Sequence, residues 1–340
     1  MRDKKVRIQD VAAMAGVSVG SVSRVLNQVP NVSADVREKV EQAMAALRYE
    51  PSHTARALRS RSSRTIGCMF SDITNPLYAR AFRALEESFR GDGYTLLLAH
   101  GLNDVQRELE SLRTFQARGM DGVICAPGHE QARELIAMMN SMTMPIVLYD
   151  REMPGTRADS LLFDHVNGIR SACARLFELG HKRITLALWS ADSRPVRKRI
   201  EGYQDAYQDA GLDPPSLILR QSTPTSSVYE DLLAMLDGPA PPTALIAQGT
   251  HILVSALRAV AKTGRRIPQD FSVVSIGDSD FTQTYDPAIS ALRTDAGLVA
   301  SHTRTLLLNR LADGSDSMAS PQKITVPYEL VERDSMGAIS

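Results

Sequence analysis

From Thr65 onward the chain alternates between short apolar runs and amphipathic stretches, and few architectures accept that pattern. The runs are TIGCMF, YTLLLA, GVICA, PIVLY, ITLAL, LILR, ALIA and SVVSI; between them lie the helix-like stretches 78–90, 104–118, 131–139, 167–178, 199–210 and 253–263. The runs have strand length, and wholly apolar strands are those covered on both faces. Strands alternating with helices predict parallel sheets flanked by helices. There are enough strands for two such sheets, hence an α/β body of two Rossmann-like subdomains with a cleft between them. No apolar run approaches the length of a membrane span, and Asp10 interrupts what would have to be an apolar signal segment. The chain is therefore expected in the cytoplasm.

Residues 1–64 follow a different grammar. Val11, Ala12 and Ala15 share one helical face, and Gly16 then offers the left-handed conformation that ends a helix. Ser18 is placed to cap a second helix with Val22, Val25 and Leu26 on its apolar side. Ser33 is placed to cap a third, in which Val36, Val40, Met44 and Leu47 recur and Asp35 and Glu38 sit in the first turn, where the helix dipole favours anions. Pro51 stops that helix, and SHTARALRSRSSR reads as a short basic linker.

Within this head, Gly16-Val17-Ser18-Val19-Gly20 spells G-x-S-x-G, the nucleophile elbow of serine hydrolases. An elbow needs a strand before its serine. Ser18 instead follows a helix, before any sheet has begun, so a nucleophile is not expected there. Two short helices joined by a glycine-containing turn are a helix-turn-helix, whose second helix enters the DNA major groove. Ser18, Val19, Gly20, Ser21, Ser23, Arg24 and Asn27 would then face the nucleic acid. Serines and helix N–H groups suit phosphate oxygens, and Arg24 can reach a phosphate or fork onto guanine.

Charge supports this division. The chain is neutral overall, but residues 1–64 hold 12 Lys+Arg against 6 Asp+Glu, while the rest holds 27 basic and 33 acidic residues. A basic head on an acidic body points to an anionic partner for the head alone. An enzyme would need other features. The chain has no GxxxxGK[ST] phosphate loop, and Cys68, Cys125 and Cys173 lie far apart. His100, His129, His165, His181, His251 and His302 are scattered without metal-ligand spacing. Neither catalysis nor a cofactor is expected.

The stretches VRIQDVAAMAGVSVGSVSRVLN and VSADVREKVEQAMAALRYEPS closely resemble the DNA-binding head of the LacI/GalR family of transcriptional regulators. The resemblance continues more loosely in SRTIGCMFSDITNPLYA, DGVICAP, PIVLYDRE, FDHVNGIRSACARLFELGHKRI, RIEGYQDAYQDAGL and IPQDFSVVSIGDSDF. It implies a helix-turn-helix domain over 1–50, a hinge helix over 51–64 and an effector-binding and dimerisation body over 65–340, built like periplasmic binding proteins. The N-subdomain is expected over about 65–165 and 294–325, and the C-subdomain over about 166–293 and 326–340. The implied partners are double-stranded operator DNA of palindromic sequence, a small-molecule effector and a second copy of the chain, with pairing of dimers to a tetramer as a further option. Repression is the expected outcome, in the cytoplasm on the nucleoid.

Carried onto this sequence, the base-choosing positions of the recognition helix are Val19 and Gly20. Val19 can touch a thymine methyl, and Gly20 offers no side chain, which leaves Arg24 as the hydrogen-bonding reader. In the hinge, Ala55 and Leu58 match the residues that enter the minor groove, while Arg56, Arg59 and Arg61 are suited to phosphates. In the body, effector-facing positions match Asp72, Asn75, Tyr78, Asp150, Arg151 and Arg199, the last in the family's R-x-x-G. Two departures bear on the ligand. Gly249-Thr250 replaces the family's Asn-Asp, and Gly277-Asp278 replaces its paired aspartates. Thr250 and Asp278 remain the candidate contacts there, while side chains that hold sugar hydroxyls are missing. The nearby Arg194, Arg197, Lys198 and Arg199 favour an anionic effector, a sugar acid or a phosphorylated sugar.

Overall fold

The computed structural model describes residues 6–26, 30–49, 62–222, 227–313 and 320–339. Asn27, Ala55, Arg56 and Leu58 lie outside them. The chain divides into two compact units, Met1–Ser63 and Arg64–Ser340.

The first unit holds helices α1 (Ile8–Ala15), α2 (Val19–Leu26) and α3 (Ala34–Leu47). Their core is small: Val11, Ala12, Ala15, Val22, Val25, Val40 and Ala43 are buried, with Val36, Met44 and Leu47 packed half-buried around them. Gly16 ends α1 at φ +65°, and Ser18 Oγ accepts the Ser21 N–H at 3.1 Å across the first turn of α2. Ser33 Oγ accepts from the Val36 N–H at 3.4 Å and starts α3. Among the described residues no strand precedes Thr65, so the G-x-S-x-G match is a helix–turn–helix junction, as expected from its context.

The second unit is built on two six-stranded sheets. One contains β1 (Thr65–Phe70), β2 (Thr95–His100), β3 (Gly122–Cys125), β4 (Ile146–Tyr149), β5 (Asp159–Phe163) and β11 (Lys323–Val326) in the order β11-β5-β4-β3-β1-β2, all parallel. The other contains β6 (Ile184–Trp189), β7 (Ile218–Gln221), β8 (Ala244–Gln248), β9 (Ser272–Ile276), β10 (Ser290–Arg293) and β12 (Glu329–Val331) in the order β12-β10-β9-β8-β6-β7. Only β12 runs antiparallel to its neighbour. Each sheet places its first strand between its second and third. That reversal of strand order opens a crevice at the carboxyl ends, where doubly wound sheets bind ligands. The chain passes between sheets after β5, after β10 and again between β11 and β12.

Central strands are buried along their whole length, Gly122–Cys125, Ile146–Tyr149 and Ser272–Ile276 among them. Apolar clusters line both faces of each sheet, which is why the strands read as unbroken apolar runs rather than alternating ones. Four of the six expected flanking helices begin earlier than expected, at Pro76, His165, Arg194 and Gly249, whereas those at Val105 and Arg133 begin slightly later. Pro76–Arg90 starts at a proline with Asn75 capping it, and Arg194–Asp209 starts five residues before Arg199 with Pro195 in its first turn. Proline suits that position, where its missing N–H has no helical partner to lose. Within the second helix, Gly202 lies against the backbone of Val166 in the His165–Glu178 helix. A Cβ there would stand 2.5 Å from the Val166 carbonyl oxygen, so only glycine allows this approach.

Candidate functional site

In the first unit, α2 buries Val22 and Val25 and leaves Ser18, Val19, Gly20 and Arg24 exposed, with Ser21 and Ser23 half-buried at the edge. Apolar residues at i and i+3 dock the helix on the small core and thereby turn its N-terminal residues and Arg24 outward. Ser18 and Ser21 are linked through their hydroxyls at 3.0 Å, closing the first turn. The helix start presents N–H groups, two hydroxyls, one valine and one guanidinium, a set suited to phosphates and base edges.

In the second unit, a cavity of about 160 Å³ lies at the carboxyl ends of both sheets. Such a volume suits one small, ring-sized molecule. From the first sheet come Asn75 and Tyr78 after β1, Asp150 and Arg151 after β4, and Phe163 at the end of β5. From the second come Trp189, Gln248, Asp278 and Arg293 beside β6, β8, β9 and β10, and Arg199 from the Arg194–Asp209 helix. Six sequence-derived candidates thus meet at one cavity: Asn75, Tyr78, Asp150, Arg151, Arg199 and Asp278. Asp72 and Thr250 do not line it. Asp72 Oδ1 is turned into its own loop, accepting from Thr74 N at 2.9 Å and from Thr74 Oγ1 at 2.7 Å. Thr250 sits in the first turn of the Gly249–Lys262 helix, one residue beyond the lining Gln248 and Gly249.

The cavity's two carboxylates are already engaged. Asp150, held at φ +53°, accepts from His165 Nε2 at 2.9 Å, from Phe163 N at 3.2 Å and from Arg194 Nη1 at 3.4 Å. Burial pushes its carboxyl up, but His165, Arg151 and Arg199 outweigh that and hold it below the ordinary range. Asp278 accepts from Arg333 Nη2 and Thr282 Oγ1, both at 2.8 Å. The guanidinium of Arg151 is buried and donates to the carbonyls of Pro127 at 2.6 Å and Asp150 at 2.9 Å. Arg80 donates to the Asp278 carbonyl at 2.5 Å.

Arg199 is different. It is buried, yet its Nε and Nη1 have no hydrogen-bond partner. The nearby Tyr328 phenol, pushed up to about 12 by burial and drawn partly back by Arg199, stays neutral. The cavity is therefore lined by four arginines (Arg80, Arg151, Arg199, Arg293) and two aspartates, and the aspartates are satisfied by other partners. The basic cluster expected around Arg199 is compensated at its other members. Arg194 pairs with Asp150 and Glu152, Arg197 with Glu130 and Asp192, and Lys198 with Glu201. Arg194 Nε also lacks a hydrogen bond, although it lies 3.3 Å from a Glu152 oxygen, but of the four only Arg199 lines the cavity, and it does so with two unpartnered donors.

Sequence reasoning missed Trp189, Gln248, Arg293 and Tyr328. The first three stand at strand carboxyl ends, where the doubly wound fold itself marks ligand positions. Tyr328 lies between β11 and β12, in a crossing that no local pattern announces.

Residues 7–52 match the family described as bacterial regulatory proteins, lacI family, and residues 173–336 match the periplasmic binding protein-like domain. Over 335 residues the chain is 28% identical to the HTH-type transcriptional repressor PurR of Haemophilus influenzae, covering 98% of this chain and 99% of that one. Over 331 residues it is 28% identical to the ribose operon repressor of Escherichia coli, covering 96% and 99%. A crystal structure of the lac repressor dimer bound to operator and the anti-inducer ONPF superposes with a TM-score of 0.85 at 27% identity, over 98% of this chain and 100% of that one. A transcriptional regulator CelR–cellobiose complex superposes at 0.70 with 25% identity, over 97% and 99%. Head, body and full-length relatives agree: the chain joins a DNA-binding head of the lacI family to a periplasmic binding protein-like body, and it is a DNA-binding transcriptional regulator similar to LacI-family repressors along its whole length.

Proposed function

We propose that the protein is a cytoplasmic, nucleoid-associated repressor that binds a palindromic operator as a homodimer and is controlled by a small anionic effector, a sugar acid or a phosphorylated sugar, in the cavity between the sheets. Residues 1–50 read DNA, residues 51–64 carry the signal, and residues 65–340 sense the effector and pair. Ser18, Val19, Gly20, Ser21, Ser23 and Arg24 form the described reading surface; Asn75, Tyr78, Asp150, Arg151, Arg199 and Asp278 face the ligand.

The observation that carries the effector class is Arg199. A buried guanidinium with two unsatisfied nitrogens costs free energy that an incoming carboxylate or phosphate recovers through charge-assisted hydrogen bonds. The two carboxylates that could receive sugar hydroxyls already have partners. The CelR relative was solved with the neutral sugar cellobiose, and the aspartates here, each already bonded within the protein through both oxygens, argue for a different ligand. Control follows from linkage. A ligand preferring one arrangement of the two lobes shifts their population, and the operator must change effector affinity by the same factor as the effector changes operator affinity.

Calorimetry with gluconate, glucuronate and glucose 6-phosphate against glucose and ribose tests the effector class. Binding of at least one anion, lost in Arg199→Met, is expected; binding of a neutral sugar with no anion bound overturns it. Selective retention of a palindromic genomic fragment by the purified dimer, absent when residues 1–64 are removed, tests the DNA reading.

A further inference from the structure

Glu130 follows β3 in the lobe of the first sheet and is fully buried. Its Oε2 accepts from the Arg194 N–H and from Arg197 Nη2, both at 2.8 Å. Its Oε1 accepts from the Glu152 N–H at 3.5 Å and faces Arg151 Nε at 4.0 Å. The donors come from both lobes: Glu152 and Arg151 follow β4, whereas Arg194 and Arg197 begin the helix that follows β6. Arg194 adds to the same clasp, donating from Nη1 to the Phe163 carbonyl at 3.2 Å and pairing through Nε with Glu152 at 3.3 Å. The first turn of the Arg194–Asp209 helix is thus bonded to the opposite lobe.

We infer that Glu130 is a latch between the lobes and the positioning residue for Arg199. A buried carboxylate persists only while donors surround it. Parting the lobes would remove Arg194 N–H and Arg197 together and leave Glu130 with the Glu152 N–H and a distant guanidinium. Closure and charge compensation are therefore one event. Arg199 rides on the helix whose first turn Glu130 holds, so the latch also sets where its unpartnered nitrogens stand relative to Tyr78 and Arg151. The ligand half of this inference rests on the anionic-effector reading; the latch half does not.

The test uses the full chain with spin labels on Glu110→Cys and Glu230→Cys, both exposed and one on each lobe, the three native cysteines being buried. Electron–electron distance distributions are compared for the labelled chain, for Glu130→Gln and for Arg197→Met. Glutamine keeps one acceptor oxygen but turns an NH2 group toward Arg197 or Arg194. Arg197 is partly exposed, so its substitution keeps the test available should Glu130→Gln fail to fold. A longer or broader distribution in both variants, at unchanged circular dichroism, is expected. Distributions identical to the parent's overturn the latch. Titration with gluconate and glucose 6-phosphate then tests positioning. Affinity for whichever anion binds the parent should fall at least tenfold in Glu130→Gln, and Glu130→Gln combined with Arg199→Met should lose no more than Arg199→Met alone. Unchanged anion affinity alongside shifted distances overturns the positioning role. Failure of both anions to bind the parent counts against the effector reading and the positioning role, while the distances still decide the latch.

Discussion

The His165 imidazole donates from Nε2 to the Asp150 carboxylate at 2.9 Å, with both side chains buried beside the cavity. Burial pushes the imidazole down to about 4, Asp150 opposes the shift, and Arg199 and Arg194 add to it. The native state therefore holds His165 neutral, whereas the unfolded chain protonates it near 6.5. Between those values the unfolded state binds more protons, so stability is full above about 6.5 and drains away as the pH falls toward 4. The contribution is at most about 3 kcal/mol for a shift of this size. Urea unfolding from pH 4 to 7 should show this slope in the parent and a flatter one in His165→Gln. Equal slopes in the two proteins would exclude His165 as the source.

Arg24 is the one charged side chain on α2, and it is exposed. Arg24→Ala should weaken operator binding by ~1–3 kcal/mol, the scale of a good base contact. Fluorescence anisotropy on the operator reads this directly. If Arg24 touches only a phosphate, the loss will be the same on operator and random duplex, and the salt slope will fall by about one. Wild-type affinity in the variant would remove Arg24 from the interface.

How far the sequence foretold this molecule depended on the kind of residue carrying the signal. Central strands such as β3, β4 and β9 were legible because burial on both faces leaves unbroken apolar runs. The strands β5, β10, β11 and β12 were not, since they are short and open or close on Asp159, Arg293, Lys323 and Glu329. The Ala296–Asp313 helix escaped notice as well. Its buried face includes Ala300 and Thr303, while Leu298 is exposed, so its apolar residues do not form one stripe. At the cavity, family motifs located Arg151 and Arg199. They did not foretell that Asp150 and Asp278 would be occupied by His165 and Arg333, because those partners are distant in sequence or lie across a crossing between sheets. Nor did any motif separate Arg199 from Arg194, Arg197 and Lys198; only the carboxylates that fold against the other three do that.

Arg199 carries a stability prediction. Its Nε and Nη1 are buried without partners, and such donors cost ~1–3 kcal/mol each. Arg199→Met removes that cost while filling similar space, but it also removes the support Arg199 gives to the Asp150 carboxylate and its bond to Tyr328, so the ligand-free variant should melt close to the parent. Ligand should separate the two proteins. An anion at a hundred times its dissociation constant stabilises the parent by about 2.7 kcal/mol. The variant should gain nothing from it. Thermal unfolding with and without the anion found by calorimetry measures both effects, and an Arg199→Met protein that melts far below the parent would mean the guanidinium is structurally bonded after all.

Gly202 closes the R-x-x-G that begins at Arg199, and its role is spatial. A Cβ at this position meets Val166 O at 2.5 Å and Val166 Cα at 2.9 Å, backbone atoms that no rotamer change can move. Gly202→Ala must push the Arg194–Asp209 helix away from the His165–Glu178 helix. Overpacking of this kind costs ~1–3 kcal/mol. The displaced helix also carries Arg199, and its first turn is bonded to Glu130, so the strain falls on the cavity and on the clasp between the lobes. Effector affinity should therefore fall more than stability alone accounts for, because ligand binding depends on where Arg199 stands and folding does not. Gly211→Ala is the matched control. Gly211 stands just beyond the same helix with nothing within 4 Å of an added Cβ, so its substitution brings only the backbone cost of a positive φ. Calorimetric titration of the two variants at equal folded fraction should show a large affinity loss for Gly202→Ala and almost none for Gly211→Ala. Equal losses would mean that the helix contact supports the fold without setting the site.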